Sequence, residues 1–470
     1  MARALAVEDA ASGQSSRMLK RQLSLADLVF LSFGGQAALL SLLTYATGVI
    51  IYTAQLAPLV VVLGTIIVLL NAASVYGLSK RYGEAGGYYI YALYSMTRRL
   101  GLETGWVYLL YSITYGAAYV FGASYILETY LHVDPVLAAL ALFVPAAAFL
   151  YLGIRPSARY AVVASSVELG ILIAIAIADM FIARFHLYDP LGQGPSHVSW
   201  APLMAALLMA IGIPTGYGSI TPLGGEAVRK EDVGKAAIVV VIVGGLLAAA
   251  VVYTMVDAAL ATDEFRLLLT ARSPVLDFLG HYYGVIMVAP ILFAALNDGT
   301  LSPLSFMAAT SRTIYAMAKY GALPAPLAKL SDGHPRNAVL FTILALALVT
   351  FPALWLTRHP FTYFLLYGSL AGLANLFVHI SANVSYTLEG FRGFRRALTF
   401  SSLKRAGWYL RKLADIVIGL GAAVFSLWAL SMSLGSSQLR LESSVFLAWI
   451  IIGFVVAEVL EELGLYQRGA

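Results

Sequence analysis

The sequence predicts an all-α integral membrane protein with twelve transmembrane helices, ten of which form a five-plus-five inverted repeat with broken first and sixth helices. Three observations carry this. Of the 470 residues 60% are hydrophobic and only 12% are charged, too little polar surface for a soluble globule. Lys and Arg sort to one side: with both termini cytoplasmic, 25 of the 30 fall in cytoplasmic segments, leaving Arg184, Arg266, Arg272, Arg358 and Arg440 outside. Two apolar spans, the first and the sixth, are interrupted by glycines at depth and enter the membrane from opposite sides, the pattern of an inverted repeat.

The spans read as 25–53, 56–79, 103–130, 135–153, 158–186, 200–226, 235–261, 284–318, 338–357, 361–388, 413–434 and 443–462. They divide the chain into a cytoplasmic tail (1–24), a ten-helix core (25–388, with repeats 25–186 and 200–388), a basic cytoplasmic loop (389–412) and two accessory helices with a C-terminal tail (413–470). The first 24 residues hold no apolar run and no cleavage-like site, so they read as a tail rather than a signal peptide. With no Cys, disulfides, thiolate metal sites and a Cys nucleophile are excluded. No metal site or resident cofactor is predicted. The net charge of +5 would suggest nucleic acid in a soluble chain, but here the position of each charge matters more, and no nucleic-acid partner is expected.

In the first span Lys20 and Arg21 precede Ser24, Leu25 and Asp27, and the apolar run meets Gly34, Gly35 and Gln36 about a third of the way across. The third span carries Tyr108, Tyr111, Tyr115 and Tyr119 on one helical face. Packing accounts for most of that stripe, and Tyr115, near the middle, is a candidate pocket liner. In the fifth span Glu168 lies about 16 Å along the helix from Ser157, near the middle of the hydrocarbon core. Such a group is either a hydrogen-bonded helix contact or a carrier of the coupling cation.

The sixth span is interrupted by Gly212, Pro214, Gly216 and Gly218. Pro removes a donor and Gly loosens the helix, so the hydrogen-bond ladder opens there. An opened backbone at membrane depth is tolerated where protein buries it or where it lines a wet cavity, which makes the break a candidate binding site. A simple kink explains either break alone; a matched pair favours a site. In the eighth span Asp298, beside Asn297, is the other deep acid, with Ser302 and Ser305 one and two turns on. It can hold a cationic group, bind a second proton, or sit in an Asn-Asp-Gly kink satisfied by neighbours. Asp179 and Asp257, near outer span ends, are expected to be solvated. Asn375, His379 and Asn383 share one face of the tenth span and suit interhelical hydrogen bonds. Arg392, Arg395, Arg396, Lys404, Arg405, Arg411 and Lys412 suit anionic lipid headgroups. The last two spans hold no deep charge and suit packing or self-association.

Five segments in order, KRQLSLADL, RYGEAGGYYIYAL, LGIRPSARY, GYGSITPLGGEAVRKEDVGKA and SRTIYAMAKYGALPAPLAKL, resemble the amino acid–polyamine–organocation (APC) superfamily of permeases from Lys20 to about Val339. The resemblance implies a secondary active transporter of an amino acid in the plasma membrane, coupled to a proton or sodium gradient. Amine, polyamine and nucleobase substrates are the alternatives. It also implies that Tyr217 closes over the solute and that Glu226 matches the family's Glu at the inner end of the sixth helix. Some proton-coupled members carry Lys at the position of Glu168, where related transporters bind sodium. Three departures stand out. The family's Gly-Ser-Gly-Ile-Phe signature falls on Ala38, Leu39, Leu40, Ser41 and Leu42, so the break is displaced toward Gly34–Ala38 and contact with a substrate carboxylate is in question. Gly83 replaces a Pro, and Gly218 replaces an acid.

The expected solute contacts are Gly35, Gln36, Ala37, Ala38, Ser41, Tyr115, Ile213, Thr215, Gly216, Tyr217, Gly218, Ser219 and Asp298. The expected coupling residues are Glu168, Asp298, Ser302 and Ser305. Glu168 either binds a proton and loses it on exposure to water, or, ionised, attracts sodium together with carbonyl oxygens of the opened first helix. An intramembrane enzyme would need an HExxH, GxGD or GxSG pattern, and the sequence has none. Nothing resembles a repeated channel filter, and paired inverted breaks suit alternating access better.

Overall fold

Several helices begin where the sequence supplies a cap. Ser24 and Asp27 form a reciprocal capping box at the start of the first helix, Leu25–Gln36. Thr97 accepts the Leu100 amide ahead of Arg98–Leu131, and Asp134 caps Pro135–Leu152. The computed structural model describes residues 19–194, 198–270, 274–398 and 406–464. The tail up to residue 18, Arg272, Lys404 and Arg405 lie outside the described residues.

Among the described residues nine helical stretches are long and apolar enough to cross a membrane. The first, Leu25–Ser79, turns at Ala54 and contains two spans. The tyrosine-rich third helix, Arg98–Leu131, and the interrupted sixth, Trp200–Gly212 followed by two 3-10 turns, bring the number to twelve. The first span is Leu25–Gln36 followed, past Ala37, by helix from Ala38 to Thr53; the second is Ala57–Ser79. The fourth and fifth are Pro135–Leu152 and Ile154–Ile182, and the seventh and eighth are Asp232–Ala261 and Val285–Lys319. The last four are Arg336–Thr357, Pro360–Leu398, Ala406–Leu434 and Arg440–Glu462. The short helix Tyr88–Ser95 joins spans two and three on the face that holds most Lys and Arg, here the basic face.

The two broken spans lie against each other. A Cβ on Gly35 would sit 2.9 Å from the Gly216 carbonyl, and one on Gly216 would strike Ser32 O and the Gln36 amide. Only glycine allows backbones this close. On the basic face the chain before span one clasps the end of span six. Gln22 N–H and Leu23 N–H donate to Glu226 O at 2.8 and 2.9 Å, and Val228 N–H donates to Leu23 O at 2.9 Å. Beneath the clasp, Arg312 of span eight makes a fully buried, two-pronged ion pair with Glu226 at 2.8 and 2.9 Å.

On the opposite face Asp179 and Asp257 are buried rather than solvated. The reason lies in the loops. Tyr283, from the helix Pro274–Tyr283 between spans seven and eight, donates to Asp179, and Thr254 donates at 3.4 Å. The segment after span five brings His186 Nδ1 to 3.0 Å and Tyr188 N–H to 3.2 Å from Asp257. Toward the basic face the tenth helix continues to Leu398. There Arg392 pairs with Glu389, and Lys412 of span eleven pairs with Asp415, both at 2.6 Å.

Candidate functional site

The first helix stops at Gln36, and Ala37 turns into the left-handed region with φ 49° and ψ 64°. A new helix starts at Ala38, so its first amides have no partner within the chain turn above them. Leu39 N–H donates to Glu168 Oε1 at 2.5 Å, and Leu40 N–H donates to Asp298 Oδ2 at 3.0 Å. Two consecutive backbone donors thus gather the deep acids of spans five and eight into one buried pair. The positive end of the new helix, which runs on to Thr53, favours negative charge there. Asn297 Nδ2 donates to Asp298 Oδ1 at 3.2 Å, and the Tyr160 hydroxyl donates to Asn297 at 3.2 Å.

The carbonyls released by both breaks are taken up by hydroxyls. Ser41 Oγ donates to Gln36 O at 2.7 Å and lies 2.8 Å from the Tyr119 hydroxyl, which itself reaches Gln36 O at 3.3 Å. In the sixth span, Thr215–Ser219 is a 3-10 turn in which Ser219 Oγ donates to Gly216 O at 2.8 Å. The Tyr108 hydroxyl donates to Gly218 O at 2.8 Å. The tyrosine stripe of span three therefore faces both breaks. Its rings pack as expected, against one another and against Tyr88 and Phe306, and the hydroxyls of Tyr108 and Tyr119 add the contacts to the breaks. Tyr115 bonds Tyr119 at 3.1 Å and lies with its ring 4.5 Å from that of Phe306.

The structure brings the predicted residues together. Gly35, Gln36, Ala37, Ala38 and Ser41 form the first break; Ile213, Thr215, Gly216, Tyr217, Gly218 and Ser219 form the second; all are buried. Ser305 Oγ donates to Leu31 O at 3.1 Å, tying span eight to the first helix before its break. Among the buried polar atoms that have no hydrogen-bond partner are Gln36 Oε1, Tyr111 Oη, Glu168 Oε2 and Ser302 Oγ. Buried polar atoms are normally paired, so each of these has hydrogen-bonding capacity to spare. Sequence reasoning missed the donors at Leu39 and Leu40, because backbone amides leave no trace in residue type. It also left His379 as a generic contact, whereas its Nε2 lies 2.7 Å from the Tyr217 hydroxyl. Asn383 does bridge helices, donating to Asn71 at 2.7 Å.

Two inverted five-helix repeats closing on broken helices, with a buried polar site between the breaks, define a secondary active transporter of the APC fold. The chain belongs to the amino acid permease family, whose family model matches residues 27–462. Its structure is similar to two mutant forms of the manganese transporter of Eremococcus coleocola, with TM-scores of 0.52 and 0.53 at 13% sequence identity. Each comparison covers 93% of this chain and 95% of that chain, and at this identity the likeness is one of fold. No curated protein matches the chain in sequence.

Proposed function

We propose that the protein carries an amino acid across the plasma membrane together with a proton, with its basic face and both termini in the cytoplasm. The observation that carries the reading is the capture of the Leu39 and Leu40 amides by Glu168 and Asp298. Those amides are donors fit for a substrate carboxylate, and here protein carboxyls hold them. A proton entering the pair weakens its hold, since a neutral carboxyl is a poorer acceptor than a carboxylate. The amides then pass to the carboxylate of the incoming solute. Loss of the proton on the other side returns the amides to Glu168 and Asp298 and releases the solute. Proton and amino acid therefore move together because they exchange the same two donors.

The same geometry favours a proton over sodium. A hard cation needs oxygen ligands, and the first-span groups that meet Glu168 and Asp298 are N–H donors. A second reading, an organic amine, rests on the acid pair itself, which can face an ammonium group without giving up the amides.

Uptake into proteoliposomes of radiolabelled amino acids and amines, under imposed proton or sodium gradients, tests both. Wild type is expected to accumulate an amino acid under a proton gradient, while Glu168→Gln exchanges it without accumulation. The amidated form of the same amino acid, lacking the carboxylate, should not be carried. Accumulation driven by sodium at constant pH, or left intact in Glu168→Gln, would remove the pair from coupling. Transport of amines alone would favour the second reading.

A further inference from the structure

Span twelve docks on the transporter core at a place where an acid is left over. Glu103, just inside the basic end of span three, is fully buried, and neither of its carboxyl oxygens has a hydrogen-bond partner. It belongs neither to the breaks nor to the pair of Glu168 and Asp298. Its carboxyl lies against span twelve, where a Cβ on Gly453 would sit 2.4 Å from Glu103 Oε2 and 2.6 Å from the Trp106 ring. One turn deeper the rings of Trp106 and Trp449 stack 4.6 Å apart, and each indole N–H donates to the other residue's carbonyl, at 2.9 and 3.0 Å.

Toward the basic face the joint ends in charges. Arg99, four residues before Glu103 and so on the same face of span three, pairs with Glu458 at 3.0 Å and with Glu461, all three exposed. The other elements against span three bring no rival charge. The connecting helix Tyr88–Ser95 has tyrosines but no charged side chain. Span ten meets Thr104 through the Ser381 hydroxyl at 2.6 Å; its His379 is engaged with Tyr217, and its one acid, Glu389, with Arg81 and Arg392. On span eight Arg312 is paired with Glu226, and Lys319 with Glu84.

A carboxylate buried without a partner is strongly disfavoured, so the joint fits Glu103 with its proton on. Without the proton, the charge has to be met by water or a cation. Arg99 is the cation within reach, since opposite charges four residues apart on a helix pair. We propose that Glu103 is a proton-binding switch at the joint between span twelve and the core. With the proton on, Glu103 lies against Gly453, and Arg99 holds Glu458 and Glu461. With the proton lost to the basic face, Glu103 draws Arg99 onto span three and takes in water. The inner end of span twelve then loses both holds and swings away. Span three also carries the hydroxyls that reach Gln36 O and Gly218 O, so the switch acts on the helix that touches both breaks.

The chain has no cysteine, so Leu100→Cys and Leu463→Cys, at exposed positions, place two nitroxide labels on the inner ends of spans three and twelve without background. Their separation is measured by double electron-electron resonance on the full chain in lipid nanodiscs, without solute. The pH is raised from about 6 to about 9.5, a range in which ordinary exposed carboxyls stay ionised. With Glu103 present, one distance is expected at the low end, and a second, longer by about 3 Å or more, the width of an entering water, should grow in as pH rises. Glu103→Gln, neutral at every pH, should keep the single short distance throughout. Glu103→Met, neutral and apolar, should do the same and decides if Glu103→Gln fails to fold. A single distance at every pH with Glu103 present would overturn the switch. So would a long distance that grows in with pH in Glu103→Gln or Glu103→Met as well. No transport is measured, so failure here is separate from failure of the proton and amino acid assignment.

Discussion

Ala37 makes the first break, and it does so in the left-handed region at φ 49°. An L-residue pays roughly 1–2 kcal/mol there, whereas glycine avoids that strain but loses roughly 0.5–1 kcal/mol more in backbone entropy. Ala37→Gly is therefore expected to stabilise the protein by up to about 1 kcal/mol, and Ala37→Val to destabilise it, read as the thermal unfolding midpoint in detergent. A lower midpoint in both variants would mean that the Ala37 methyl packs in a way the break needs. The two carboxyls call for a different measurement. Glu168→Gln and Asp298→Asn each keep an oxygen for Leu39 N–H or Leu40 N–H, so the fold should persist while proton-driven accumulation is lost. Because the residues act as one pair, the double variant should lose no more accumulation than either single variant. Losses that multiply would show two independent proton sites.

At the scale of the helices, both breaks were legible from the chain, because Gly and Pro mark an open ladder whatever surrounds it. What the glycines do was not. Gly34 and Gly35 stay helical, and their missing side chains make room for Leu301 and for the Gly216–Ser219 turn. That purpose exists only once spans six and eight are in place. The tyrosine spacing showed a common face but not that the face meets Gln36 O and Gly218 O. The acid pair was hidden more deeply, since its members lie in spans five and eight and are joined by amides of span one. Asp179 and Asp257 misled because position along a span says nothing of the loops folded over its end. Close packing of the breaks makes a prediction with an opposite-sign control. Gly35→Ala should cost about 1–3 kcal/mol through overpacking against Ser219 and Gly216 O. Gly170→Ala, where nothing lies within 4 Å, should gain roughly 0.5–1 kcal/mol in helix stability. Equal effects on the thermal midpoint would show that the broken spans separate at little cost.

Across the whole molecule, two devices of different chemistry on the basic face converge on one residue. The Glu226 carbonyl receives the amides of Gln22 and Leu23, and the Glu226 side chain holds Arg312 in the interior. Alternating access has to open this face in every cycle, and a buried ion pair suits that duty. Its desolvation cost offsets much of its Coulomb attraction, so water entering an opening path repays a large part of what breaking the pair costs. Removing one member is another matter. Arg312→Gln leaves the Glu226 carboxylate buried without its partner and should cost about 3–5 kcal/mol, whereas Glu226→Gln with Arg312→Met removes both charges and should recover most of that. The backbone clasp survives in both, because no side chain takes part in it. The thermal midpoint should therefore fall sharply in the single variant and return toward wild type in the double. Alkylation of a Ser32→Cys thiol should stay raised in the double, since the pair that reseals the face is gone. A double variant as unstable as the single would mean that Arg312 matters for its packing. One that is stable and labelled at the wild-type rate would mean that the clasp alone keeps the face shut.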